Sequence, residues 1–199
     1  MTDVQANDAS CDPHRRVLLE GLGVAALAAL ASGPARAAPD PASAGNGVHD
    51  FDFLVGRWRV AHRRLKVRLA GNNDWETFGG TCVMRQILSG QGNIDENVLD
   101  LPSGRYEGVG LRLFDPKART WSIWWIDGRS PGMDTPVTGG FQSGVGEFFG
   151  DDVLRGMPVR VRYRWSDISA GSCHWEQAFS PDGEKTWETN WLMRFTRDT

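Results

Sequence analysis

The chain has 199 residues, with 22 Lys/Arg against 25 Asp/Glu, a formal net charge of −3 and nine tryptophans. So slightly acidic a chain argues against nucleic acid as the main partner, because counterion-driven binding needs a clearly basic face. Three cysteines make neither a disulfide framework nor a zinc site.

Residues 1–37 read as a targeting peptide and are set apart from fold reasoning. His14, Arg15 and Arg16 precede Val17, Leu18 and Leu19, an Ala/Gly/Leu run follows from Gly21 to Ala31, and Ala35-Arg36-Ala37 is an A-x-A cleavage signal. This is the form of a twin-arginine signal; a Sec-type signal with a chance arginine pair is the alternative, and the weak hydrophobicity of the run favours the first. The run is about eleven residues long where a span needs roughly twenty, so no stable membrane anchor is expected. The expected location is therefore periplasmic or secreted. Once the leader is removed only Cys82 and Cys173 remain, and in an oxidising compartment they either pair or pack as buried thiols.

Residues 38–49 form a linker, flexible because PDPASAGNG carries no apolar period. The folded domain occupies residues 50–199 and opens with DFDFLVGRWRV: Phe51, Phe53 and Leu54 put apolar bulk ahead of Gly56, and Trp58 and Val60 then alternate with Arg57 and Arg59. A short capping turn leading into a half-buried strand follows from that pattern. Strand one is expected over Arg57 to Leu69, with a β-bulge near Arg63 and Arg64, because Trp58, Val60 and His62 differ in parity from Leu65, Val67 and Leu69.

Further strands are expected over Trp75 to Leu88, Asn93 to Leu101, Arg105 to Phe114 and Thr120 to Asp127, separated by Gly-, Asn- and Pro-rich turns. Residues 128–136 have no strand pattern, Val137 to Gly150 is a glycine-rich hairpin, and Pro158 to Trp165 alternates apolar residues with Arg160, Arg162 and Arg164. Ser172 to Phe179 and Trp187 to Thr196 close the chain around the turn SPDG, where Asp182 is expected to bond backbone N–H groups. Many antiparallel strands with no helix longer than two turns make an all-β domain, and their length favours a closed barrel of about eight to ten strands over a sandwich.

Phe53, Leu54, Gly56 and Trp58 form an F-L-x-G-x-W opening that resembles the lipocalin-like (calycin) group. The runs LRLFDP, WSIWWID, VRVRYRW and WEQAFSPDGEKTWETNW resemble bacterial families of unknown function with that barrel. The resemblance implies a small apolar or amphipathic ligand in the lumen. Its haem-binding nitrobindin branch makes His62 and His174 candidate axial ligands, but that branch carries its histidine close to the final strand, and WETNWLMRF has none. No cofactor and no metal are called for: H-E-x-x-H, C-x-x-C and G-x-S-x-G are all absent.

The expected apolar face joins Val161, Tyr163 and Trp165 to Trp175, Gln177 and Phe179 and to Trp187, Thr189, Trp191, Met193 and Phe195. If the lumen is only partly filled, Trp125, Tyr163, Trp175, Trp191 and Met193 line it, with Gln177 and Asp127 as polar groups, as small-molecule pockets are built. If it is filled, the same face is a solid core and the barrel is structural. An inverted barrel instead puts Arg162, Glu176, Asn190 and Arg112 inside, with Arg162 and Glu176 as a buried pair. A cofactor-independent isomerase, cyclase or hydratase would use Asp127, Glu176 or His174 as acid or base in the lumen.

Overall fold

The alternation of side chains decides the architecture. In the computed structural model, which describes residues 47–130 and 132–198, most strands bury alternate residues, and ten strands close into one antiparallel barrel. The strands are β1 (Gly56–Leu65), β2 (Trp75–Ile87), β3 (Gly92–Leu101), β4 (Gly104–Asp115), β5 (Thr120–Asp127), β6 (Val137–Gln142), β7 (Val145–Leu154), β8 (Met157–Ser166), β9 (Ser172–Ser180) and β10 (Glu188–Arg197). Neighbours in sequence are neighbours in space, and β1 pairs with β10 to close the ring, Val60 opposite Phe195 and His62 opposite Met193. Closure leaves no long free edge for another chain to extend.

The opening motif plugs one end. Asp52–Leu54 makes a single 3₁₀ turn, its Leu54 fully buried, and the Trp58 indole N–H donates to the Leu54 carbonyl at 2.7 Å. Gly56 has φ +119°, a region L side chains avoid, and a Cβ there would come within 2.8 Å of Arg197 Nη1. Arg197 from β10 lies over the Trp58 ring at 4.0 Å and donates to the carbonyls of Val55 (2.6 Å) and Phe53 (2.8 Å). The short motif thus marks a knot joining turn, first strand and last strand.

Phe51 sits at the centre of the closed end, edge-on to Trp121 (5.1 Å between centroids) and Phe141 (5.0 Å), with Phe148 and Trp165 around it. Trp58 and Trp165 both meet Phe195, at 6.2 and 5.4 Å. Such ring pairs add roughly 0.5–1.5 kcal/mol each beyond their burial.

Two expectations are corrected. β1 runs in unbroken register to Leu65, so no bulge occurs near Arg63 and Arg64; Arg64 simply takes the next inward position. The bulge lies in β10, where Thr189 faces Ala178 and Trp191 faces Gln177, leaving Asn190 as the extra residue. It reverses parity, so Trp187 and Thr189 leave the apolar face: Trp187 packs on Phe149 and beneath Arg162 on the outer wall, while Asn190 is fully buried. The SPDG turn forms as expected, with Asp182 accepting from the Thr186 N–H (3.0 Å) and the Ser180 hydroxyl (2.8 Å). The leader and most of the linker lie outside the described residues.

Candidate functional site: the barrel lumen

Above the plug the interior becomes polar. Arg112 on β4 and Asp95 on β3 are a buried ion pair; Asp95 Oδ1 also accepts from the Gly110 N–H (3.0 Å) and the Asn97 amide (2.5 Å), and Arg112 Nη1 donates to Asn93 Oδ1 (3.1 Å). Gly110 makes this possible, because a Cβ there would meet Asp95 Oδ1 at 2.5 Å. Arg112 lies over the Phe51 ring at 5.1 Å, so the charged layer rests directly on the plug.

Aromatic rings continue upward on the β8–β9–β10–β1–β2 side. Tyr163 meets Trp175 (4.9 Å), Trp175 meets Trp191 (5.9 Å), and His62 stacks on Phe78 (4.6 Å). The Trp191 indole N–H donates to His62 Nδ1 at 3.3 Å. Burial, with the Arg64 charge beside it, pulls the His62 imidazole down to about 4, so the ring is neutral with its proton on Nε2. An axial ligand needs a free imidazole lone pair, and that of His62 is engaged by Trp191. Arg64 pairs with Glu76 at 2.7 Å against the Phe78 and Trp191 rings.

At the far end Asp127, Asp134 and Asp152 lie with Arg129 and Arg68 beside them. Trp125, Asp127, Leu154 and Tyr163 occupy inward positions there and are only partly buried, unlike Phe51, Trp121, Phe148 and Trp165 in the plug. Gly108 lets the Trp125 ring lie flat against the wall; a Cβ would meet that ring at 2.2 Å. Burial pushes the Asp127 carboxyl up, but the Arg129 side chain and N–H outweigh it and hold it below its ordinary value. Burial, with Asp152 and Asp127 nearby, raises Asp134 to about 6, and burial raises Asp152 as well. The Tyr163 phenol is pushed well up by burial and by Asp134 and Asp152, so it stays a neutral donor.

Of the residues expected to line the lumen, Trp125, Asp127, Tyr163, Trp175, Gln177, Trp191 and Met193 share the inward parity, and Gln177 donates to the buried Asn190 Oδ1 at 2.7 Å. Arg162 and Glu176 do not: they alternate with inward Val161, Tyr163, Trp175 and Gln177, and pair with each other at 2.9 Å on the outer wall. The inverted barrel is therefore corrected, although Arg112 and Asn190 are inside in the upright one. His174 is likewise outside, on Asp167 at 2.9 Å, so the acid–base reading keeps only Asp127 of its three groups. Cys82 and Cys173 are free and buried, and burial pushes the Cys173 thiol up to about 12.

Sequence reasoning missed Asp95, Asn93 and Asn97, whose signal was present: they share parity with Leu99 and Leu101 in NIDENVLDL. It also missed a groove of about 730 Å³ on the outer wall, where Ala61 and Gly79 leave no bulk between Arg63, Thr77, His174 and Leu192.

A plugged, ten-stranded antiparallel meander with an aromatic lumen defines a lipocalin-like, calycin-type barrel. Among solved structures the chain is similar to the S-type phycobiliprotein lyase CPES from Guillardia theta, with a TM-score of 0.51 and 11% identity over 75% of this chain and 90% of that one. EF1p2_mFAP2b, solved bound to DFHBI, matches with a TM-score of 0.40 and 12% identity over 76% of this chain and 99% of that one. No family model matches the sequence, and no curated protein is significantly similar to it.

Proposed function

We propose that this protein binds a small, largely apolar molecule in its barrel lumen, and that it does so after export. The observation that carries the binding reading is the contrast between the two ends. Phe51, Trp121, Phe148 and Trp165 of the plug are fully buried, whereas the inward-facing Trp125, Tyr163 and Leu154 at the other end are only partly buried. Aromatic walls with a few convergent polar groups are suited to a ligand of amphipathic character. The export reading is supported by Arg15-Arg16, the short apolar run and Ala35-Arg36-Ala37.

Native mass spectrometry on protein purified from the periplasmic fraction without denaturation tests both parts. The expected result is a chain beginning at Ala38 that carries a small additional mass, released on unfolding. An apo mass, with no uptake of hydrophobic probes into the lumen, overturns the binding reading. A chain retaining residues 1–37 in the cytoplasmic fraction overturns export.

A further inference from the structure

Arg112 is 6% exposed and Trp165 2%, yet each has a buried N–H without an acceptor: Nε of Arg112 and Nε1 of Trp165. The two lie together, with the Arg112 guanidinium carbon 5.8 Å from the Trp165 ring centroid. Arg112 makes its bonds to Asn93 and Asp95 through Nη1, so its other edge, Nε with Nη2, is turned away from both. Buried donors are almost always satisfied, so each of these N–H groups calls for an acceptor, a water or a ligand atom, that the chain does not itself supply.

Charge decides what kind of acceptor. Arg112 is already neutralised by Asp95, whose carboxylate is in turn held by Gly110 and Asn97. An anionic head group would bring an uncompensated charge into a dry layer. A neutral carbonyl oxygen has two lone pairs, accepts from both donors and adds no net charge.

We propose that the lumen ligand presents a neutral carbonyl oxygen, as in a ketone, amide or lactam, at its buried end, held by the Arg112 Nε–H and the Trp165 Nε1–H. This rests on the lumen-binding reading and specifies its ligand class. The apolar body of the ligand then lies against Tyr163, Trp175 and Trp125, and Arg112 and Trp165 orient it.

Three probes of nearly equal size test it: 2-acetylnaphthalene, 2-naphthoate and 2-ethylnaphthalene, each titrated into the full chain by calorimetry and by quenching of tryptophan fluorescence. The ketone is expected to bind about tenfold more tightly than the ethyl compound, the increment of one hydrogen bond from a charged donor. Naphthoate is expected to bind no better than the ethyl compound. Trp165→Phe removes one donor, and Arg112→Lys removes the guanidinium edge while keeping a cation for Asp95. Each is expected to reduce the ratio of ketone to ethyl-probe affinity toward one, with urea midpoints showing which variant folds. Equal binding of ketone and ethyl probes, or tightest binding of naphthoate, overturns the carbonyl inference and leaves lumen binding intact. Failure of all three probes to bind overturns lumen binding and the inference with it. A crystal structure with the ketone bound, in which an ordered water still occupies both donors, also overturns the inference.

Discussion

Asp95 and Arg112 form an ion pair inside the barrel, their side chains 3% and 7% exposed, at the level where the aromatic plug gives way to the lumen. Desolvating two charges is expensive, and their attraction offsets that cost only while both are present with their other hydrogen bonds made. Asp95→Asn leaves the Arg112 charge unmet and is expected to destabilise the fold by roughly 3–5 kcal/mol, read as a lowered urea midpoint. The double variant Asp95→Asn with Arg112→Met is expected to recover a large part of that loss. A double variant no more stable than Asp95→Asn would show that the pair is not what the single substitution breaks.

His62 gives the barrel a defined acid sensitivity. Its imidazole stays neutral down to about pH 4, whereas in the unfolded chain it protonates near 6.5. The unfolded state therefore binds the extra proton as pH falls through this window, so stability present above 6.5 is lost progressively toward 4. The linked loss is about 3 kcal/mol at most. Urea denaturation of wild type and His62→Phe between pH 7 and 4 should show a slope in the first that is reduced in the second. Identical slopes would mean that other groups carry the acid response.

Gly110 is expected to tolerate no side chain. Its N–H donates to Asp95 Oδ1, and an added Cβ would stand 2.5 Å from the same oxygen. Gly110→Ala should cost about 1–3 kcal/mol by overpacking, and should move Arg112 along with Asp95. Gly140→Ala, where an added Cβ meets nothing within 4 Å, is the control and should change the urea midpoint little.

The outer pair of Arg162 and Glu176 provides the contrast. Both are roughly a fifth exposed, so solvent screens them, and Glu176→Gln is expected to cost between about 0 and 1 kcal/mol. Probe affinity in the lumen should not change. A loss of lumen binding in Glu176→Gln would contradict the outward placement of this pair.

Strand positions were legible in the chain itself, because period-2 alternation in segments such as GRWRV and VRVRYRW is a local property that folding only has to respect. The plug was legible for a similar reason: Phe53, Leu54, Gly56 and Trp58 act within six residues of one another. Their partner Arg197 was not, since it arrives from the far end of the chain through β1–β10 closure. Which parity faces inward was also undecided, because β8, β9 and β10 carry aromatic residues on one face and paired charges on the other, and either face satisfies its own local chemistry. Closure settles it by geometry. The concave side of a ten-stranded ring has room for Trp175 and Trp191 in contact, and the convex side gives Arg162 and Glu176 water. A single extra residue at Asn190 then moves Trp187 outside, a shift that no pattern confined to one strand reveals, because a bulge is defined only against its partner. The Asp95–Arg112 pair belongs to the same class: its residues are ordinary in β3 and β4 taken singly, and become a site only when register sets Asp95 opposite Gly110 and Asn93 opposite Arg112.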